Sequence, residues 1–373
     1  MLPARRPVRV LPFLPLLLCL LSAGCAVRPA DTAGRDVRRA VSEWSRTPPE
    51  RLAGIPVEDW AYEVGSVRRD GVRALVRAEL RYRLSGYDPA PGGSAREIRL
   101  VEEDGTWRVT ADRPAPGTPM QLWDQGPVSV VRGAHALVLG GAGQSGDTLR
   151  GIAAEADRAV PAASAAWPRA WAGRVVVLVP GSLEGMAQLL GGTADAYRGM
   201  GAVTTGRVGA GPAPADRVVV NPEGYAGLGE AGRRIVLTHE VTHVATRAAT
   251  TDTTPLWLSE GFADWAAYRG GPTTPEQGAP ALARAVRRGE VPARLPAAED
   301  FAFGGDPQAL ARAYEGAWLA CRLIADRWGE EALVGLYERA GREPLPTALD
   351  EALGVDQEGL TKAWQEALRG WLR

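Results

Sequence analysis

The chain has 373 residues, 45% of them hydrophobic, which is enough to bury a sizeable core and to form two domains. Its net charge is −1, and its basic residues, 42 Arg and one Lys, are spread along the sequence, so composition leaves no footprint for nucleic acid. Of three cysteines, Cys19 and Cys25 lie in the leader described next and only Cys321 falls in the part expected to fold, which excludes a disulfide within one chain.

Residues 1–25 carry an address. Arg5, Arg6 and Arg9 precede an apolar run from Val10 to Leu21, and Ser22-Ala23-Gly24-Cys25 follows, the layout of a bacterial signal peptide. Small residues directly before Cys25 resemble a lipobox, in which the cysteine is acylated and becomes the mature amino terminus. The expectation is a lipid-anchored protein on the extracytoplasmic face of the cell membrane. Pro3, Pro7, Pro12 and Pro15 argue against a folded first helix. The run of about twelve residues is also short of the roughly twenty that span a bilayer.

Residues 31–115 read as a small α+β domain. A short helix is expected over 36–45. Over 72–84 the sequence alternates, with Val72, Ala74, Val76, Ala78, Leu80, Tyr82 and Leu84 on one face and mostly arginines on the other, the pattern of a long half-buried strand with a solvated outer surface. Asp104-Gly105, between apolar runs at 98–101 and 107–109, predicts a hairpin with a tight turn. The stretch resembles a cystatin-like or nuclear transport factor 2-like domain. A Pro- and Gly-rich run over 111–127 marks a joint, with 116–127 as the linker.

From 128 to 373 a second domain is expected. Strands are predicted at 128–131, 135–139, 174–179, 202–205 and 217–221, with helices over 147–160, 183–190 and 230–248. From Pro280 the chain is mostly helical, ending in a helix over 356–372. In the helix over 230–248, Leu237, Val241, Val244 and Ala248 form an apolar stripe, so its opposite face is free for other use. The strand ending in Val218-Val219-Val220-Asn221 is taken as a sheet edge open to an extended partner.

That opposite face carries His239-Glu240-Val241-Thr242-His243, which uses two of the three histidines in the chain. Positions i and i+4 of a helix share one face, so both imidazoles can reach one cation while Glu240 stands beside it as a base for water. A catalytic zinc site needs a third protein ligand and one open position. Glu260 is the candidate, beyond a break formed by residues 250–254 and Pro255, on a second helix that returns alongside the first. Asp264, four residues on, faces the same way and can take the outer N–H of a ligand histidine. Zn2+ suits two imidazoles and a carboxylate. His135, alone in an apolar strand, reads as structural, and Cys321 as a buried small hydrophobe.

An H-E-x-x-H helix followed by Trp257-Leu258-Ser259-Glu260-Gly261-Phe262-Ala263-Asp264 resembles the gluzincins, the thermolysin and aminopeptidase N branch of the peptidase MA-like zinc peptidases. The resemblance implies a zincin-like fold, in which a mixed sheet and the active-site helix precede a helical lower half. It implies zinc on His239, His243 and Glu260, Glu240 as general base, Asp264 behind a ligand, and a peptide or protein substrate. Tyr314 lies 54 residues after Glu260, placed much as the transition-state tyrosine of related enzymes, with Tyr225 and Tyr268 as the other candidates. No G-x-M-E-N segment precedes the motif, so the likeness does not extend to aminopeptidase specificity. The competing expectations are a zincin-fold binding or scaffold lipoprotein without catalysis, and a non-peptidase hydrolase using the same metal chemistry.

Overall fold

A computed structural model describes residues 32–206, 213–303 and 305–373. The signal segment and Cys25 lie outside the described residues. The class is α+β: an antiparallel four-stranded sheet, a mixed five-stranded sheet, then a mostly helical carboxyl-terminal half.

Helix α1 (Thr32–Trp44) leads into four strands in sequential antiparallel order, β1 (Val57–Asp70), β2 (Arg73–Leu84), β3 (Gly92–Glu103) and β4 (Thr106–Pro114). The alternation over 72–84 is realised from Arg73 onward, with Ala74, Val76, Ala78, Leu80, Tyr82 and Leu84 buried. Val72 sits in the turn before the strand and is exposed. Asp104 (φ 49°) and Gly105 (φ 76°) both adopt the left-handed conformation that a two-residue hairpin turn demands, between the paired residues Glu103 and Thr106. Strand β1 has no expectation behind it. Bulges between Glu58 and Ala61 and between Val64 and Ser66 break its period of two, which removes the signal by which a half-buried strand is recognised.

The inner face of β2 is covered by two different partners. Twelve residues of strand extend for about 40 Å, whereas the thirteen-residue α1 covers about 20 Å. Val37 and Val41 of α1 pack on Ala74, Val76 and Ala78. The remaining part, Leu80, Tyr82 and Leu84, packs with Leu137, Leu139 and Val176 of the second sheet. Between them, within the segment read as a linker, Leu122 and Trp123 are buried. Arg96, fully buried on β3, is pinned by Asp112 of β4 at 2.8 Å and by both oxygens of Asp124 at 2.8 and 3.0 Å. The segment is thus bound by apolar contact and by a buried ionic cluster.

The second sheet contains β5 (Ser129–Arg132), β6 (Ala136–Gly140), β7 (Val175–Val179), β8 (Ala202–Thr205) and β9 (Arg217–Val220), in the order β5-β6-β7-β9-β8. Strands β6, β7 and β9 are parallel, with β5 and β8 antiparallel at the two edges. Strand β9 is therefore interior and the edge is β8, which corrects the sequence expectation. The reason is visible in burial: Val218, Val219 and Val220 are buried on both faces, as a continuous apolar run in a parallel sheet must be, while β8 is mostly half-buried.

Helix α2 (Gly146–Ala166) crosses between β6 and β7. The short α3 (Leu183–Leu190), α4 (Ala194–Tyr197) and α5 (Pro222–Ala226) connect strands. Helix α6 (Glu230–Thr246) then lies on the sheet beside α2. Leu237, Val241 and Ala245 form its buried stripe; Ala248 lies past the helix end and is exposed. Helix α7 (Leu256–Tyr268) follows, and after α8 (Pro275–Gly278) and α9 (Pro280–Arg287) come α10 (Pro307–Trp328), α11 (Glu330–Ala340), α12 (Leu345–Leu353) and α13 (Gln357–Trp371). Helices α6, α7 and α9 to α13 share one apolar core with the inner face of the second sheet. No helix of the described residues is long and apolar enough to cross a membrane.

Candidate metal centre

Helix α6 presents His239 and His243 one turn apart, and their Nε2 atoms stand 3.1 Å from each other. Helix α7 returns beside it and brings Glu260 Oε2 to 3.4 Å from His239 Nε2 and 3.6 Å from His243 Nε2. A tetrahedral ion with ligands at 2.0–2.1 Å requires ligand atoms separated by roughly 3.3–3.4 Å, and the three edges bracket that value. The donor chemistry also fits. Two imidazole nitrogens and a carboxylate oxygen can all act as electron-pair donors, so the set can hold a cation. Among the described residues this is the one cluster of His, Cys, Asp and Glu able to hold a metal.

Asp264 Oδ1 lies 2.8 Å from His239 Nδ1. An Nδ1–H donated to Asp264 leaves the Nε2 lone pair facing the other two ligands, which is how an outer carboxylate fixes ring and tautomer. Burial pulls the His239 pKa down, but Asp264, Glu260 and Glu240 outweigh it and hold the imidazole well above its ordinary value. Burial likewise raises Glu260, and the two imidazoles more than cancel this, keeping the carboxylate far below the usual range and ionised.

Glu240 is buried beside the ligands, and its Oε2 accepts a 2.7 Å hydrogen bond from Thr204 Oγ1, which also reaches the Glu240 carbonyl at 3.0 Å. Thr204 belongs to the edge strand β8, so the Glu240 carboxylate is tied to the strand that borders the cleft. Sequence reasoning missed this residue, because nothing in a four-residue strand tells which hydroxyl meets a helix 36 positions away.

The pairing of α6 and α7 has its own supports. Tyr337 of α11 is fully buried and its phenol meets the hydroxyls of Thr250 at 2.8 Å, Thr246 at 3.3 Å and Ser259 at 3.4 Å, joining three helices next to Glu260. Gly261 faces α10 so closely that a Cβ there would lie 2.3 Å from the Ala317 carbonyl oxygen and 2.9 Å from Cys321 Sγ. Only glycine lets α7 settle at this depth, which gives the Glu-Gly pair its physical reason. Cys321 is buried in the core, where desolvation pushes its thiol pKa well up, as suits a packing residue.

His239, His243, Glu260, Glu240 and Asp264 line a cleft of about 750 Å³ between β8 and the helical half. Tyr314 of α10 lines the same cleft; burial together with Glu260, Asp264 and Glu240 pushes its phenol pKa far up, so it stays a neutral donor. The other two tyrosines are elsewhere. Tyr225 is buried in a separate cavity against α2, and Tyr268 stacks on Trp318 at 4.5 Å. His135 is half-buried, with Nδ1 at 3.3 Å from the Gly173 carbonyl, and is not part of the metal-capable group.

No protein-family model matches the chain, and no curated protein is similar to it. The geometry itself therefore carries the functional argument.

Proposed function

We propose that the chain is a zinc metallopeptidase of the gluzincin type, with a zincin-like catalytic domain. It would act on peptide or protein substrates at the outer face of the cell membrane, tethered by a lipid on Cys25. His239, His243 and Glu260 would hold the ion. The observation that carries the reading is the convergence of these three donors within 3.6 Å, on the side of the cleft where Glu240 and an open strand edge also meet.

Held by these three residues, zinc would supply Lewis-acid chemistry toward a water and a substrate carbonyl. The chain supplies the rest. Glu240, oriented by Thr204, takes the proton from water and returns it to the leaving amine. Tyr314 presents a neutral O–H to the oxyanion that develops on the opposite side. The outer backbone edge of β8, which has no neighbouring strand among the described residues, offers its N–H and C=O groups to an extended peptide, which favours a peptide over a compact small molecule.

The test is Glu240→Gln on a peptide library with metal content measured on the same samples. The reading expects metal content unchanged and turnover reduced by about 10²–10⁴-fold, the usual contribution of a positioned proton-transfer group. Cleavage unaffected by the substitution removes it. Bound zinc without any activity that depends on Glu240 points to a binding scaffold instead.

A further inference from the structure

Among the described residues that line the cleft, one carries a guanidinium. Arg247 follows His243 by four residues and keeps helical backbone angles (φ −48°, ψ −45°), so it stands one turn, about 6 Å, further along the face that carries both imidazoles. It is the only Lys or Arg among the described residues that line the cleft, where Glu240, Asp252, Glu260 and Asp264 have the opposite sign. Asp216, buried just before β9, accepts from Arg247 Nε. The two terminal nitrogens of Arg247 have no hydrogen-bond partner among the described residues, and Asp252 on the loop after α6 forms no ion pair with it. A guanidinium held at Nε with both terminal nitrogens unused is shaped to take a second carboxylate end-on, through Nη1 and Nη2.

Chain direction decides which part of a substrate reaches it. Gly201, at the start of β8, lies against Val236; Thr204 bonds Glu240; Gly206, past the end of β8, lies against Asp216, the partner of Arg247. Strand β8 and helix α6 therefore run the same way, from Val236 to Arg247. A peptide added antiparallel to β8, the commoner pairing, places its amino-terminal half at Arg247. One helical turn corresponds to about two residues of extended chain.

We propose that Arg247 is a specificity determinant that binds an Asp or Glu side chain about two residues before the bond to be cleaved, making acidic segments the preferred substrates, with Asp216 as the positioning residue. This rests on the reading of the cleft as a peptide-binding site. It does not rest on turnover.

Binding is accordingly the readout. Zinc-loaded Glu240→Gln chain is titrated with labelled dodecapeptides in matched pairs that differ only by Glu or Gln at one position, followed by fluorescence anisotropy. The proposal expects at least one pair in which the Glu peptide binds about tenfold tighter, the range of a hydrogen bond between charged groups. That ratio falls to near one when Arg247→Gln is added and is partly restored by Arg247→Lys. A merely structural Arg247 would shift both members of a pair together and leave the ratio alone. If the single substitution fails to fold, Asp216→Asn with Arg247→Gln leaves no charge buried without a partner, and the ratio is read there. Equal binding within every pair, undetectable binding by both included, or a preference that survives loss of Arg247, overturns the proposal. Peptides cleaved without an acidic preference would sink this inference and leave the peptidase reading intact, whereas an Arg247-dependent preference without cleavage would do the reverse.

Discussion

Asp264 never joins the ligands, yet its 2.8 Å contact with His239 Nδ1 determines which nitrogen is free for a metal. Replacing it by Asn keeps the shape and removes the charge. Asp264→Asn is expected to weaken zinc binding by about 10–100-fold, measured by competition with a chromophoric chelator, as for other carboxylates behind a ligand imidazole; unchanged affinity would detach it from the site. Tyr314 makes a different claim, on rate. Tyr314→Phe is expected to lower kcat by about 10²–10³-fold with KM nearly constant, because in the proposed mechanism its O–H meets charge that develops only in the transition state. A change confined to KM would make it a binding residue. His239, His243, Glu260 and Asp264 were legible in the sequence because the helical period turns a spacing of four into proximity. Thr204, Asp216 and Tyr337 were not: each reaches α6 from a distant part of the chain, and no local pattern encodes such a meeting.

Among the elements, the α7–α10 contact decides how deeply Glu260 is set. Propensity alone predicts that alanine in place of a mid-helix glycine stabilises by up to about 1 kcal/mol. Gly261 should reverse that sign, since its Cβ would enter the Ala317 carbonyl and the Cys321 thiol. Gly261→Ala is expected to destabilise by about 1–3 kcal/mol, the usual cost of overpacking. At Gly335 of α11 a Cβ would meet no atom within 4 Å, and Gly335→Ala serves as the control that stabilises. Thermal melts of the two variants moving in the same direction would contradict the packing account. Helices and the hairpin were readable where period and turn chemistry agree, as at Asp104-Gly105. The edge of the second sheet was misread because strand order is set by pairing, whereas the sequence of β9 records only that it is buried. Strand β1 went unseen because its bulges erase the alternation.

At the scale of the whole molecule, the first sheet is not an independent appendage. Leu80, Tyr82 and Leu84 share a core with Leu137, Leu139 and Val176, and Arg96 ties Asp112 to Asp124 at the junction. The alternation of β2 told which face is buried but not that two partners divide it, since a pattern records burial and not its cause. Arg96→Met leaves buried Asp124 without a cation and Asp112 with only the more exposed Arg51, 3.6 Å away, and is expected to cost about 3–5 kcal/mol. The loss should appear as a downward shift of a single cooperative melting transition, and separate melting of an amino-terminal unit would contradict a shared core. The candidate metal centre sits inside this arrangement, and the functional account depends on it. X-ray absorption at the zinc edge, on the full chain loaded with zinc, tests it most directly. The account predicts one zinc per chain with two imidazole nitrogens at about 2.0–2.1 Å and a carboxylate oxygen in its shell, and loss of that shell in His243→Ala and Glu260→Ala; a zinc environment unchanged by both substitutions would contradict it.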